Sequence, residues 1–250
     1  MKILADTLVA ILLFSSAPQT TTELPVQENS NLIVFEQTIE EKKIEEEKQA
    51  KQNQEVLIDS FDYEVSSYST KYSTSAQNSN RNHNMKLACN AIDNLILYPG
   101  DTFSYNGTIL SKRDLKNDYL PAPILSNGQT STGIGGGICQ ISSTLYNTAL
   151  YSNMTITNRR SHSAMVGYVP AGRDTTVSWG TVDFCFRNDL DMPVMIDAHM
   201  NNGIVTIKIL SQDDPALGEI NVTTAYNNGT YTLNRSVNGS INHTTKSSYR

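Results

Sequence analysis

The stretch Thr132-Gly-Ile-Gly-Gly-Gly-Ile-Cys-Gln-Ile-Ser-Ser-Thr-Leu-Tyr-Asn-Thr-Ala-Leu-Tyr151 narrows the folds open to this chain more than any other. Gly133, Gly135, Gly136 and Gly137 carry no side chain to stabilise a regular element and admit backbone angles that other residues avoid. Directly after them, Ile138, Ile141, Leu145 and Ala149 recur at helical spacing and define one apolar face. A flexible turn therefore feeds a buried helix, with Cys139 near the junction.

Around this unit the pattern is mixed. From Lys86 to Leu97 the residues Leu87, Ala88, Ala91, Ile92, Leu95 and Ile96 fall at helical spacing, and Pro99-Gly100 marks a turn. Strands are predicted at Thr102 to Asn106 and at Pro121 to Leu125, the second meeting a turn at Asn127-Gly128. Further strands are expected at Ala164 to Val169, Thr175 to Trp179, Val182 to Arg187, Val194 to Met200 and Ile204 to Leu210. Asn201-Asn202-Gly203 joins the last two as a hairpin, since Asn and Gly tolerate positive φ. Strands beside two helices imply an α+β fold, a single domain with a mainly antiparallel sheet.

That domain occupies residues 68–210, because the patterned middle is the part able to bury a core; 38% hydrophobic content suits one such core and not a membrane-embedded protein. Residues 1–17 have the outline of a secretory signal or uncleaved membrane anchor: Lys2, an apolar run broken by Asp6, then small residues before Pro18. About a dozen apolar residues is short for a full span, which takes ~20. Residues 18–67 read as a polar, charged linker or stalk, either a solvated helix or plain disorder. Its segment from Glu36 to Glu55 holds seven Glu against four Lys and so supplies half of the chain's net charge of -6. Residues 211–250 are a low-complexity polar tail with five Asn-X-Ser/Thr triplets, to which no core is assigned, although Asn228-Gly229 and Asn238-Gly239 could turn irregular strands. No basic stripe exists, so a nucleic-acid partner is not expected. An exported, extracytoplasmic location is, at the cell surface or anchored to the membrane through the N-terminal segment.

Three cysteines, Cys89, Cys139 and Cys185, leave at least one thiol without an internal partner. Cys89 and Cys185 sit in apolar helix and strand patterns, and a disulfide between them would leave Cys139 free. Cys139 alone stands where glycines expose backbone amides. At a helix start the unpaired amides favour the thiolate, and the same amides could stabilise an oxyanion. His162 is the natural base among the four histidines, since His83 and His243 lie in polar stretches and His199 on the late hairpin. Asp174, twelve residues on, could orient the imidazole, with Asp183 a second candidate. The order Cys, His, Asp matches that of papain-like and transglutaminase-like thiol enzymes, by analogy only. The opposite reading stays open: a buried structural Cys under a Gly-rich turn, with its His satisfied by a backbone carbonyl. Zinc held by Cys139, His162, Cys185 and His199 lacks the usual ligand spacing, so no metal and no cofactor are expected.

Four runs carry a family resemblance: Pro99-Gly-Asp-Thr-Phe-Ser-Tyr-Asn106, Gly133-Ile-Gly-Gly-Gly-Ile-Cys-Gln-Ile-Ser-Ser-Thr-Leu-Tyr-Asn147, Arg160-Ser-His-Ser163 and Tyr168-Val-Pro-Ala-Gly-Arg-Asp174. Together they resemble the VanW family over roughly Tyr68 to Leu210. That resemblance implies a bacterial protein working on or near the cell wall, with peptidoglycan or its precursors as partners and a link to glycopeptide-antibiotic resistance. It brings no settled activity, so a non-catalytic peptidoglycan-binding or scaffold module stands beside a thiol enzyme. Gly135, Gly136, Gly137, Gln140, Arg160 and Arg173 are the motif positions taken as candidates for binding. Departures at Gly107-Thr-Ile-Leu110 and Asp174-Thr175-Thr176 touch neither Cys139 nor His162.

Overall fold

The computed structural model describes residues 26–126 and 128–249, with side chains from Thr38 onward apart from Ser126. The expected signal or anchor at 1–17, and Asn127 of the turn it forms with Gly128, lie outside the described residues. Two compact units meet in sequence between Asn53 and Gln54. The described part of the first belongs to helix α1 (Val26–Asp59), whose side chains from Thr38 through Leu57 are all exposed. Its Lys42–Glu46 and Lys48–Glu45 pairs are solvated and contribute little. No described helix is long and apolar enough to cross a membrane.

The second unit is α+β, and its named strand pairs are all antiparallel. Strand β1 (Tyr63–Lys71) leads into α2 (Ser79–Ile92), β2 (Leu95–Leu97), β3 (Thr102–Ser104) and the short helices α3 (Tyr105–Lys112) and α4 (Leu115–Asp118). The hairpin β4 (Pro121–Ser126) and β5 (Gln129–Ile134) follows, then α5 (Ile138–Tyr151), β6 (Thr155–Asn158) and β7 (Cys185–Arg187). Next come β8 (Val194–Asn201), β9 (Ile204–Ser211), β10 (Ile220–Asn227), β11 (Thr230–Val237) and β12 (Ser240–Ser248). Four sheets result, ordered β1-β9-β8-β2, β10-β11-β12, β3-β7-β6 and β4-β5.

Helix α5 lies at the centre. Ile138, Ile141, Leu145, Ala149 and Leu150 join the main core with Met85, Ile92, Ile196, Ile207 and Phe184. Its polar face is buried as well, and each of those groups needs a partner. Thr144 Oγ1 meets Thr70 Oγ1 at 2.8 Å, and Thr148 Oγ1 donates to the Ile207 carbonyl at 3.1 Å, which ties the helix to β1 and β9. On the other side Ser142 and Ser143 donate to the Thr175 carbonyl, and Asn147 Nδ2 donates to the Arg173 carbonyl at 2.8 Å.

Those last bonds explain a correction. The strands expected at Ala164 to Val169 and Thr175 to Trp179 are irregular segments, apart from an isolated bridge between Ser178 and Val182. Arg173, Thr175 and Val177 spend backbone groups on α5 side chains instead of on a neighbouring strand: Asn147 Nδ2 donates to the Arg173 carbonyl, Thr175 N–H donates to Ser143 Oγ at 2.9 Å and Val177 N–H to Cys139 Sγ at 3.4 Å. Accordingly His162 opens no strand.

Other boundaries moved for local reasons. The expected strand to Asn106 stops at Ser104, whose Oγ accepts from Gly107 N–H and caps α3. The first helix starts earlier than expected and ends at Ile92, because Asn94 adopts φ 57° and Leu95 to Leu97 pair with β8. The domain's first strand begins at Tyr63, five residues before the expected start.

The C-terminal segment differs most from expectation. Residues 220–248 form a regular three-stranded sheet whose turns at Asn228-Gly229 and Asn238-Gly239 both have positive φ. Leu233 is fully buried, and Arg235 reaches back to the end of α5, donating through Nη1 to the Met154 carbonyl at 2.8 Å and the Leu150 carbonyl at 3.4 Å. The segment therefore carries core contacts that its polar composition conceals.

Candidate active site

The glycine turn places Cys139. Gly137 caps α5 with φ 109°, and Gly136 sits where a Cβ would lie 2.6 Å from the Ala122 and Pro123 carbonyl oxygens, so the turn presses against β4. Cys139 occupies the second helical position, where the first amides have no carbonyl four residues back. Ile138 and Gln140 N–H turn to the Gly135 and Gly137 carbonyls. No backbone carbonyl takes up the Cys139 amide among the described residues.

The thiol is half-buried at the wall of a cleft of about 430 Å³, lined also by His162, Arg81, Tyr168, Trp179, Ile124 and the glycines 135–137. A larger cavity of about 500 Å³ lies elsewhere, between β1 and residues 214–220, away from Cys139 and His162. Chemistry, not size, selects the first.

His162 is buried and its Nδ1 lies 2.6 Å from Asp174 Oδ2. An ionised carboxylate only accepts, so Nδ1 carries the proton and Nε2 is the nitrogen left for Cys139. His162 N–H also donates to Oδ2, at 2.7 Å. On Oδ1, Asp174 accepts from Tyr249 Oη at 2.5 Å and from Arg159 Nη2 at 3.3 Å. Arg159 further clasps the Asp174 carbonyl through Nε at 2.8 Å and stacks over the Tyr146 ring.

These contacts set the charges. Burial opposes ionisation of Asp174, but hydrogen bonds from the His162 ring and backbone and from Tyr249, with Arg159 nearby, hold its carboxyl below the usual range. Burial would likewise depress His162, yet the Asp174 bond and the Cys139 sulfur raise it to about 9. Burial pushes the Cys139 thiol up, while the His162 hydrogen bond and charge, with the Val177 backbone and Thr176, more than compensate and leave it below the ordinary thiol range. Both shifts favour the thiolate–imidazolium form of the pair over the neutral one.

The other expected positions scatter. Gly135, Gly136 and Gly137 line the cleft, and Gln140 does too, but its side chain is spent on Thr70, Lys71 and Arg81. Arg160 is exposed and off the cleft, and Arg173 points away, donating to Asn147 Oδ1 at 2.7 Å and lying over Tyr68 and Tyr151. Asp183 serves Ser104, Asn106 and Phe184 instead of His162. All three cysteines are free, so Cys89 and Cys185 form no disulfide. The zinc quartet is not gathered: Cys185 donates to Asp183, and His199 groups with Asp93 and Asp197. Sequence reasoning missed Arg159, Tyr249 and Arg81, none of which has a local motif to announce it.

A family model described as VanW like protein matches residues 80–210, more than half of the 250-residue chain. The chain is 40% identical over 163 residues to the Uncharacterized protein YoaR of Bacillus subtilis (strain 168), covering 65% of this chain and 53% of that protein. It is 29% identical over 141 residues to the Vancomycin B-type resistance protein VanW of Enterococcus faecalis (strain ATCC 700802 / V583), covering 54% and 51% respectively. The chain thus spans about half the length of these relatives. No solved structure matches it. Cys139, His162 and Asp174 fall within the matched residues, and Tyr249 falls outside them.

Proposed function

This chain belongs to the VanW family, and from that premise we propose that it is an exported cell-envelope protein whose Cys139 performs acyl transfer or hydrolysis on peptidoglycan or its precursors. The observation that carries the reading is that Cys139 and His162 line one cleft, with Nδ1 of the histidine committed to the carboxylate of Asp174 buried behind it. One relative is named for vancomycin resistance, which supports work at the envelope. Residues 1–17 would supply the export signal or anchor.

Each residue has a distinct task. The Cys139 thiolate attacks a substrate carbonyl, and the carbon–oxygen π electrons move onto oxygen as the S–C bond forms. The Cys139 amide and the positive end of α5 stabilise that oxyanion. Collapse expels the amine, which takes its proton from His162 Nε2 and leaves a thioester. His162, neutral again, removes a proton from an incoming amine or water; that nucleophile displaces the thiolate and regenerates the pair. Asp174 keeps the ring oriented throughout and remains ionised.

Alkylation tests the premise. Iodoacetamide at neutral pH should label Cys139 at least ~10-fold faster than a free model thiol, with Cys89 and Cys185 slow. Intact mass after incubation with peptidoglycan stem peptides should show an acyl adduct that Cys139→Ser abolishes. Labelling no faster than the model thiol removes the chemical reading. Full complementation by Cys139→Ser would make the cleft a binding module instead.

A further inference from the structure

The cleft around Cys139 is lined by Arg81 and His162 and, among the described residues, by no Asp or Glu, in a chain whose net charge is -6. Most cations near it are already matched. Arg159 and His162 are both paired with Asp174. Arg81 is different.

It rises from the first turn of α2, and its stem packs on Gly137, where a Cβ would fall 2.8 Å from Arg81 Cγ. Its guanidinium donates through Nη1 to Met85 Sδ at 2.7 Å and through Nη2 to Gln140 Oε1 at 2.8 Å, two neutral acceptors. Gln140 is itself anchored by Thr70 Oγ1 and the Lys71 carbonyl, so the head of Arg81 is held in place. No carboxylate pairs with it among the described residues. Partial burial costs a guanidinium hydration, and the usual compensation is an anion. Here no described carboxylate supplies one; Tyr168 and the Cys139 sulfur offset only part of the cost of burial, and the group lines an open cleft next to the amides that begin α5.

We infer that Arg81 binds a carboxylate of the substrate, so that the cleft selects peptides bearing an anionic group close to the carbonyl attacked by Cys139. The inference rests on the thiol reading above and adds the substrate feature that this site would recognise. A guanidinium serves the purpose because it meets a carboxylate with two parallel N–H donors.

A pair of matched alkylating agents separates the possibilities on the full chain. Iodoacetate carries a carboxylate one bond from the reacting carbon and iodoacetamide a neutral amide; in both, the thiolate displaces iodide and an S–C bond forms. The measured quantity is the ratio of their rates at Cys139, read by mass spectrometry at neutral pH. Arg81→Met should lower the iodoacetate-to-iodoacetamide ratio by ~10-fold or more, the scale of one charge-assisted hydrogen bond. Arg81→Lys should keep most of the ratio, and raising salt should erode it in the wild type. Should Arg81→Met fail to fold, Arg81→Gln, whose amide still reaches toward Gln140, takes its place. An unchanged ratio overturns the proposal, and so does an equal fall in both rates, which would make Arg81 a support for the thiolate alone. Failure of the thiol reading itself looks different: iodoacetamide would then label wild-type Cys139 no faster than a free thiol, and the carboxylate site would fall with it.

Discussion

Tyr249 Oη donates to Asp174 Oδ1 at 2.5 Å and at the same time accepts from Gly172 N–H at 2.7 Å, joining the end of the chain to a carboxylate 75 residues earlier. The loop that bears Asp174 is thereby clasped from two sides, by the Ser/Thr/Asn face of α5 and by the C-terminal sheet. Gly172 lets that sheet approach: with φ 85°, a Cβ there would lie 2.9 Å from Thr224 Cγ2.

Tyr249→Phe should leave Asp174 Oδ1 with Arg159 as its remaining side-chain donor. Loss of a hydrogen bond to a charged group costs about 1.5–3 kcal/mol, visible as a lower urea midpoint. A purely structural tyrosine would stop there. A positioning role requires in addition that the pH profile of Cys139 alkylation shift, since Asp174 sets the charge of His162; an unshifted profile refutes it.

The pH dependence of stability has a definite sign. His162 is raised to about 9 from an ordinary value of 6.5, so its contribution is fully present below 6.5 and is lost as pH rises through 9. Cys139, whose pKa is lowered, acts in the opposite direction over the upper part of that range. Cys139→Ser removes the opposition while Asp174 still holds the imidazole. Because the sulfur's share of the His162 shift goes with it, denaturant melts of Cys139→Ser should lose stability from pH 6.5 upward over a narrower interval that ends below 9, and Cys139→Ser with His162→Gln should be flat there.

Arg235 is buried and caps the carbonyls at the end of α5. Replacing it with Met should cost about 2–3 kcal/mol, because the carbonyls of Leu150 and Met154 lose a charged donor in a site closed to water. Thermal unfolding would measure this. Little or no loss would mean that the C-terminal sheet does not contribute to the stability of the helix.

Two glycines make a matched comparison. In Gly136→Ala the new methyl meets the Ala122 and Pro123 carbonyl oxygens at 2.6 Å, so β4 or the turn must move; about 3 kcal/mol and slower alkylation of Cys139 are expected. Gly167→Ala meets nothing within 4 Å and should change stability by no more than ~0.5 kcal/mol. Equal melting temperatures for the two variants would contradict the packing argument.

Helix α5, its glycine turn and the β8–β9 hairpin could be read from the residues alone, because helical period and turn chemistry depend on neighbours a few positions away. Cys139, His162 and Asp174 are legible as types at plausible positions, and Asp183, the second candidate for the orienting role, faces Ser104 and Asn106 in the fold. Arg160 stands at a motif position and Arg159 does not; only the path of the chain beyond β6 shows which of the adjacent side chains faces Asp174.

What escaped has one cause. The expected strand at 175–179 fails because buried side chains of α5 take up the loop's hydrogen bonds, a competition no local pattern registers. The C-terminal sheet looked coreless because its few buried side chains, Leu233 and Arg235 among them, are scattered through polar sequence. A chain dictates its periodicities and turns by short-range sterics, so those stand in the sequence by themselves. Which carboxylate meets the imidazole, which arginine faces the cleft with no described carboxylate beside it and which distant tyrosine braces the site depend on contacts between segments far apart, and these exist only once the core has closed.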